Sequence, residues 1–264
     1  MSKLFFNASS FLILCFAVIG CSSGSDETAA IATPAGTVNK ITETSYNGGQ
    51  VSTINYDFNY ENGILKTISA GTAFRFEFVM DGNKIVQVKS VLNNVAGAVN
   101  NMLYDGINLK SITQADNSEK TEFTHSSNIV ASERNFYSTN NSSWILSTTK
   151  NYTFNAALNM ESRLSTAHQM SSQASKSSFE YDAKNNPFKN MNSYLRYLLQ
   201  FETISQFSAN NVFKQYAFAS ATSTTPIQTH YYIYVYNENG FPLSIKKYGL
   251  PNNTLISECI LSYN

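Results

Sequence analysis

The chain has 264 residues, 18 of them basic and 18 acidic, so its formal charge is zero. A neutral chain has no long-range field to gather a polyanion, which excludes nucleic acid as a partner. Charged residues make up 14% of the chain and aromatic residues 13%, with 18 Phe and 16 Tyr; this is strand and turn chemistry rather than helix chemistry.

The first twenty residues have the order of an export signal. Lys3 is followed by apolar residues from Leu4 to Phe6 and from Phe11 to Ile19, and Gly20 precedes Cys21. The uninterrupted apolar run is about nine residues long, against the roughly 20 needed to span a bilayer as a helix, so residues 1–20 are expected to be cleaved. Val18-Ile19-Gly20-Cys21 resembles the lipobox of bacterial lipoproteins. The resemblance implies that the Cys21 thiol carries palmitate-like acyl chains, and several chains together anchor a protein stably to a membrane surface. With Cys21 acylated, Cys259 is the one thiol left in the body and is expected to be a small buried hydrophobe.

In residues 21–37, Cys21 is followed by Ser-Ser-Gly-Ser-Asp-Glu and then an Ala/Thr/Pro-rich stretch, which reads as a flexible tether. The Ser25-Asp26-Glu27 step resembles the surface-export signal of Bacteroidetes lipoproteins. The expected address is an outer-membrane lipoprotein on the cell surface or the periplasmic face.

From Val38 to Asn264 the pattern is alternation. Aromatics take every second position in Tyr56-Asp57-Phe58-Asn59-Tyr60 and in Phe74-Arg75-Phe76-Glu77-Phe78, which predicts strands with one aromatic face and one wet face. In Tyr232-Ile233-Tyr234-Val235-Tyr236 the intervening residues are also apolar, which predicts a central strand covered on both faces. Asn62-Gly63, Asp81-Gly82, Asp105-Gly106 and Asn239-Gly240 are expected at the two central positions of type I′ hairpins, with a second alternating segment after each. Leu195, Leu198 and Leu199 continue a helical spacing begun at Met191 and Tyr194, predicting one short amphipathic helix near 191–200 that covers a sheet face or closes an end.

The segments at 60–68, 104–112 and 236–245 vary one theme, Tyr, then a turn with Gly, then Leu-x-x-Ile or its variants. This theme resembles the tyrosine-aspartate (YD) hairpin repeats of Rhs-type shell proteins, and implies a β-meander only. Residues 177–248, with Tyr181-Asp182-Ala183-Lys184-Asn185-Asn186-Pro187 at their start, resemble an uncharacterised family of Bacteroidetes lipoproteins. The expected fold is therefore mainly β: an extended antiparallel meander, open, twisted or curved into a half-barrel, over residues 38–264.

Chemistry is sparse. His125, His168 and His230 lie in unrelated segments, with no metal-ligand spacing and no nucleotide or nucleophile motif, so no catalytic residue, metal or cofactor is assigned. Glu77, Glu122 and Glu180 each flank an aromatic and are expected on wet faces, where two could reach glycosidase separation or could simply pair with residues such as Arg75, Lys89 and Lys120. Trp144 follows a polar turn and is the aromatic expected at the surface, a candidate contact for a glycan or partner. The reading is a non-enzymatic, membrane-anchored envelope lipoprotein that offers a sheet surface to a protein partner. A glycan-binding module, a lipid-binding half-barrel and a glycoside hydrolase stay open beside it.

Overall fold

The computed structural model describes residues 36–264 apart from 83, 140–142, 170–173, 190, 192–194, 196 and 198–206. The export segment and most of the tether lie outside the described residues. The strands are β1 (Val38–Asn47), β2 (Gln50–Glu61), β3 (Ile64–Ala70), β4 (Phe74–Asp81), β5 (Lys84–Leu92), β6 (Val95–Asp105), β7 (Asn108–Gln114) and β8 (Glu119–Ser126). They continue as β9 (Ile129–Tyr137), β10 (Ile145–Phe154), β11 (Met160–Ala167), β12 (Ala174–Asn185), β13 (Asn210–Phe218), β14 (Gln228–Tyr236), β15 (Pro242–Leu250) and β16 (Thr254–Tyr263).

Each strand pairs antiparallel with its sequence neighbours, and β1 pairs with β16 from Val38↔Tyr263 to Ser45↔Ser257, so the meander closes into a barrel. This corrects the expected open or half-barrel sheet. Closure satisfies the backbone groups that two free edges would have exposed. The curvature comes partly from register shifts in many of the hairpins, such as those between Asn59/Tyr60, Val79/Met80, Leu103/Tyr104 and Thr124/His125, since each bulge bends its strand and sharpens the twist.

The alternation decides what faces inward. Tyr56 and Phe58 on β2 pair with Ala70 and Ile68 on β3 and are buried, while Thr53, Asn55, Asp57 and Asn59 between them are exposed. Inward residues near one end, among them Val38, Leu65, Ile85, Leu109, Val130 and Pro242, are buried. Those at the other end, among them Phe74, Ser90, Glu119, Tyr137 and Ala217, are half-buried. The first end holds the chain's entry and exit, where Asn264 N–H donates to the Thr37 carbonyl at 2.9 Å.

Tyrosines latch this closed end. Tyr60, Tyr104, Tyr181, Tyr234 and Tyr263 donate to the carbonyls of Val38, Ile85, Met160, Val212 and Pro242 at 2.6 to 3.0 Å. In every case the donor sits near the end of an even-numbered strand and the acceptor near the start of the strand before it. The repeated tyrosine thus has one structural job, tying the bottom of a hairpin pair to its neighbour. Burial raises the pKa of Tyr60, Tyr234 and Tyr263, keeping these hydroxyls as donors.

The turns differ in detail from expectation. Asn62 and Gly63 both have positive φ and occupy the two central positions, as the Asn-Gly signal requires. Asp105, by contrast, closes its strand opposite Asn108, so Gly106 and Ile107 are the central pair and only Gly106 has positive φ. Asn93-Asn94 and Ser127-Asn128 take positive φ at both positions without any glycine, and these turns were not foreseen.

The expected helix near 191–200 falls largely outside the described residues; Leu195 and Tyr197, which are described, are helical, and the extended elements among the described residues are all strands. Leu195 and Tyr197 are described and buried, with the Tyr197 ring edge-on to Phe123 of β8 at 4.8 Å between centroids. Phe207 packs on Tyr152 of β10 at 5.5 Å. The β12–β13 connection therefore puts side chains into the lumen instead of covering an outer face. A sixteen-stranded barrel has room for such a filling.

Candidate functional site

Strands β8 to β10 carry one cluster of buried polar side chains in the interior. Glu133 is 0% exposed and forms an ion pair with Lys150, its cross-strand partner. Its other oxygen accepts from the Tyr152 hydroxyl at 2.9 Å, and Asn135 Nδ2 donates to Oε1 at 3.2 Å. Asn135 in turn donates to Thr148 at 2.9 Å and accepts from Thr121 at 2.7 Å. Burial, reinforced by the Glu133 charge, holds the Tyr152 and Tyr197 hydroxyls well above the usual phenol range. The carboxylate is neutralised by an ammonium and capped by two donors, which suits a structural keystone and offers no free base.

The outer face of the same strands carries a second cluster. Lys120 Nζ lies 4.8 Å from the centroid of Phe136 and 4.9 Å from that of Trp144, and it pairs with Glu122 at 2.7 Å. Arg134 approaches the same carboxylate at 3.8 Å and stacks over Phe136 at 5.1 Å. Trp144, singled out from sequence, is half-buried just before β10. Phe136 and Lys120 were not foreseen as its company; the signal was the cross-strand pairing of Lys120 with Phe136, invisible until the register is known.

The three carboxylates considered as a hydrolytic pair are not brought together. Glu77 is bound by Arg75 at 2.8 Å, Glu122 by Lys120, and Glu180 accepts from Tyr216 at 2.6 Å. They lie on β4, β8 and β12, each four strands from the next. At roughly 4.8 Å per strand that is about 19 Å along the wall, twice the separation that glycoside hydrolysis tolerates. Nor do the histidines converge: His125 and His230 point inward from β8 and β14, and His168 bonds Thr149 at 2.9 Å. Among the described residues no group of three His, Cys, Asp or Glu could hold a metal ion. Cys259 is buried and in no disulfide, its Sγ 3.9 Å from Glu43 Oε1.

Sequence reasoning passed over Glu119, which faces inward from the start of β8 at the half-buried end. Burial, with the Asp116 charge beside it, pushes its carboxyl up to about 7.

No protein-family model matches the chain, and no curated protein does. Among solved structures, a porin-like protein from Bacteroides vulgatus ATCC 8482 superposes with a TM-score of 0.50 at 13% identity, over 86% of this chain and 98% of that one. A porin-like protein from Bacteroides uniformis ATCC 8492 gives 0.36 at 9% identity, over 88% of this chain and 100% of that one. At such identities a likeness speaks to the fold alone, and the first supports the antiparallel barrel described above.

Proposed function

We propose that this protein is a non-enzymatic envelope lipoprotein, anchored through acylated Cys21, whose barrel stands in water beside the membrane and offers its wall to a protein partner. The observation that carries this reading is the polarity of the outer wall. Thr42 bonds Asn55, Thr44 bonds Thr53, Asn59 bonds Thr67, Gln87 bonds Asn101, Thr124 bonds Ser132 and Thr153 bonds Ser162, all outside, at 2.7 to 3.0 Å. Arg75, Glu77, Lys120, Glu122 and Arg134 share that face.

A barrel that spans a membrane needs the reverse, an apolar band about 25 Å tall facing the lipid, and an Arg or Lys at the midplane costs roughly 2 to 4 kcal/mol. The porin-like description of the structural neighbour therefore does not carry over as a membrane-spanning role. The buried apolar and aromatic side chains of this barrel form a core on its inner face. The tyrosine latches support reading the chain as a concatenation of hairpin repeats, in keeping with the resemblance to YD repeats.

The test is fractionation of cells expressing the full chain or its Cys21→Ser variant, with labelled palmitate. The wild type is expected in the membrane pellet and labelled, and Cys21→Ser in the detergent-free soluble fraction, unlabelled. A Cys21→Ser protein that has lost residues 1–20 and still needs detergent would show a spanning barrel and defeat the reading.

A second reading, glycan binding, rests on Trp144 and Phe136 lying side by side on the outer wall. A sugar would have to displace Lys120 from their faces. Saturable binding on a glycan array that Trp144→Ala abolishes would favour it over the protein partner.

A further inference from the structure

Exposed aliphatics dot the barrel, among them Val79 on β4, Leu103 on β6 and Ile107 in the turn after it, and four of them meet on the outer wall of β14 to β16. On β14 the outward row is Tyr231, Ile233 and Val235, because His230 and Tyr232 between and before them are buried inside. Ile233 and Val235 are 49% and 56% exposed, and Ile260, reached from Val235 across Ser244, is 55% exposed. Leu243, at a register shift of β15 beside Val235, adds a fourth exposed aliphatic. The sequence predicted a strand covered on both faces here, and the structure covers only the inner one.

The strip is ordered along the barrel axis. Val235, Leu243 and Ile260 lie nearest the closed end. Next comes Ile233 beside the Lys246–Glu258 pair at 3.4 Å, and then Tyr231 stacked on Tyr248 with centroids 5.0 Å apart. Aliphatics, an ammonium on an apolar stem and tyrosine rings are the side chains that settle at a lipid surface.

The anchor emerges at the same end. Gly36 N–H meets the Asn264 carbonyl where β1 pairs with β16, and Ile260 is four residues from Asn264 on that strand, about 13 Å along it. From Cys21 to Gly36 the chain can reach at most about 50 Å, and a flexible chain of that length averages roughly 20 Å end to end. A strip so close to the anchor meets the bilayer at an effective concentration in the millimolar range, enough for a few half-exposed aliphatics that would not bind from bulk solution.

We propose that the β14–β16 strip rests on the lipid surface that holds Cys21, so the barrel lies against the membrane by this wall and turns its opposite wall, around β4 to β8, to the partner. The proposal rests on the lipid-anchor reading above. Its test uses the full acylated chain on phosphatidylethanolamine/phosphatidylglycerol vesicles, carrying an environment-sensitive fluorophore at Val235→Cys or, as reference, at Thr124→Cys on the exposed face of β8; Cys259 is buried and protected from labelling.

The expected result is a blue-shifted emission at position 235 that doxyl-labelled lipids quench by more than half, with neither effect at position 124. Co-flotation with the vesicles but equal, unquenched emission at both positions would overturn the proposal and leave the anchor standing. A blue shift that grows with protein density and ignores doxyl lipid would overturn it in favour of contact between copies. Failure to float at all would overturn the anchor and the proposal together.

Discussion

Strands β8 to β10 carry a charged cluster on each face, built from the same residue types and one barrel wall apart. Outside, Glu122 holds Lys120 and Arg134 with side chains that are 20% to 49% exposed; inside, Glu133 holds Lys150 at 0% and 14%. Water screens the first, and burial shields the second. The comparison teaches that an ion pair in this barrel is decoration or keystone according to which side of the sheet the alternation assigns it.

The largest effect should therefore come from halving the inner pair. Lys150→Met leaves Glu133 buried and unpaired, for an expected loss of about 3 to 5 kcal/mol in a urea titration. Replacing both, as Glu133→Leu with Lys150→Met, should recover most of that loss, because a buried pair scarcely outperforms a well-packed apolar substitute. If the double variant is no more stable than the single, the surrounding bonds from Tyr152 and Asn135 matter more than the charge.

The tyrosine latches come next. Tyr60→Phe or Tyr234→Phe removes a donor from a carbonyl while keeping the ring, at an expected cost of about 1 to 2 kcal/mol each by thermal or urea unfolding. Tyr231→Phe on the outer wall should cost much less, and a similar loss at all three would mean the latch geometry contributes nothing beyond ring packing.

Much of this was legible in the chain. Alternation at 56–60 and 74–78 gave both the strands and the face that turns inward, since the period of two leaves no other arrangement for Phe and Tyr. What the pattern could not show was closure, because pairing of Ile41 with Leu261 joins residues 220 positions apart and leaves no local signature. The same gap hid the inner cluster: Glu133 and Lys150 look like ordinary strand charges until bulges move Val130, Glu133 and Asn135 onto one face. Apolar Ile233 and Val235 were read as covered because hydrophobicity alone does not say whether protein or membrane does the covering. Trp144 was expected at the surface and is half-buried, and its ammonium partner Lys120 depends on register.

Two smaller predictions sharpen the contrast between the faces. Glu119 faces inward, and its carboxyl is raised to about 7 by burial and by Asp116. A group with a raised folded pKa favours the folded state fully below its unfolded value, near 4.5, and loses that contribution as the pH climbs to about 7. Stability should fall across this window. Because the group is half-exposed, screening brings the change down to on the order of 1 kcal/mol. Glu119→Gln should flatten the slope and leave the variant more stable than wild type at pH 8; an unchanged slope would put the titration elsewhere. Glu122→Gln, on the wet face of the same strand, should change stability by no more than a few tenths of a kcal/mol, and that small effect should vanish in molar salt. A loss there as large as that of Lys150→Met would show that the outer cluster is held as rigidly as the inner one, and would erase the distinction between the two faces.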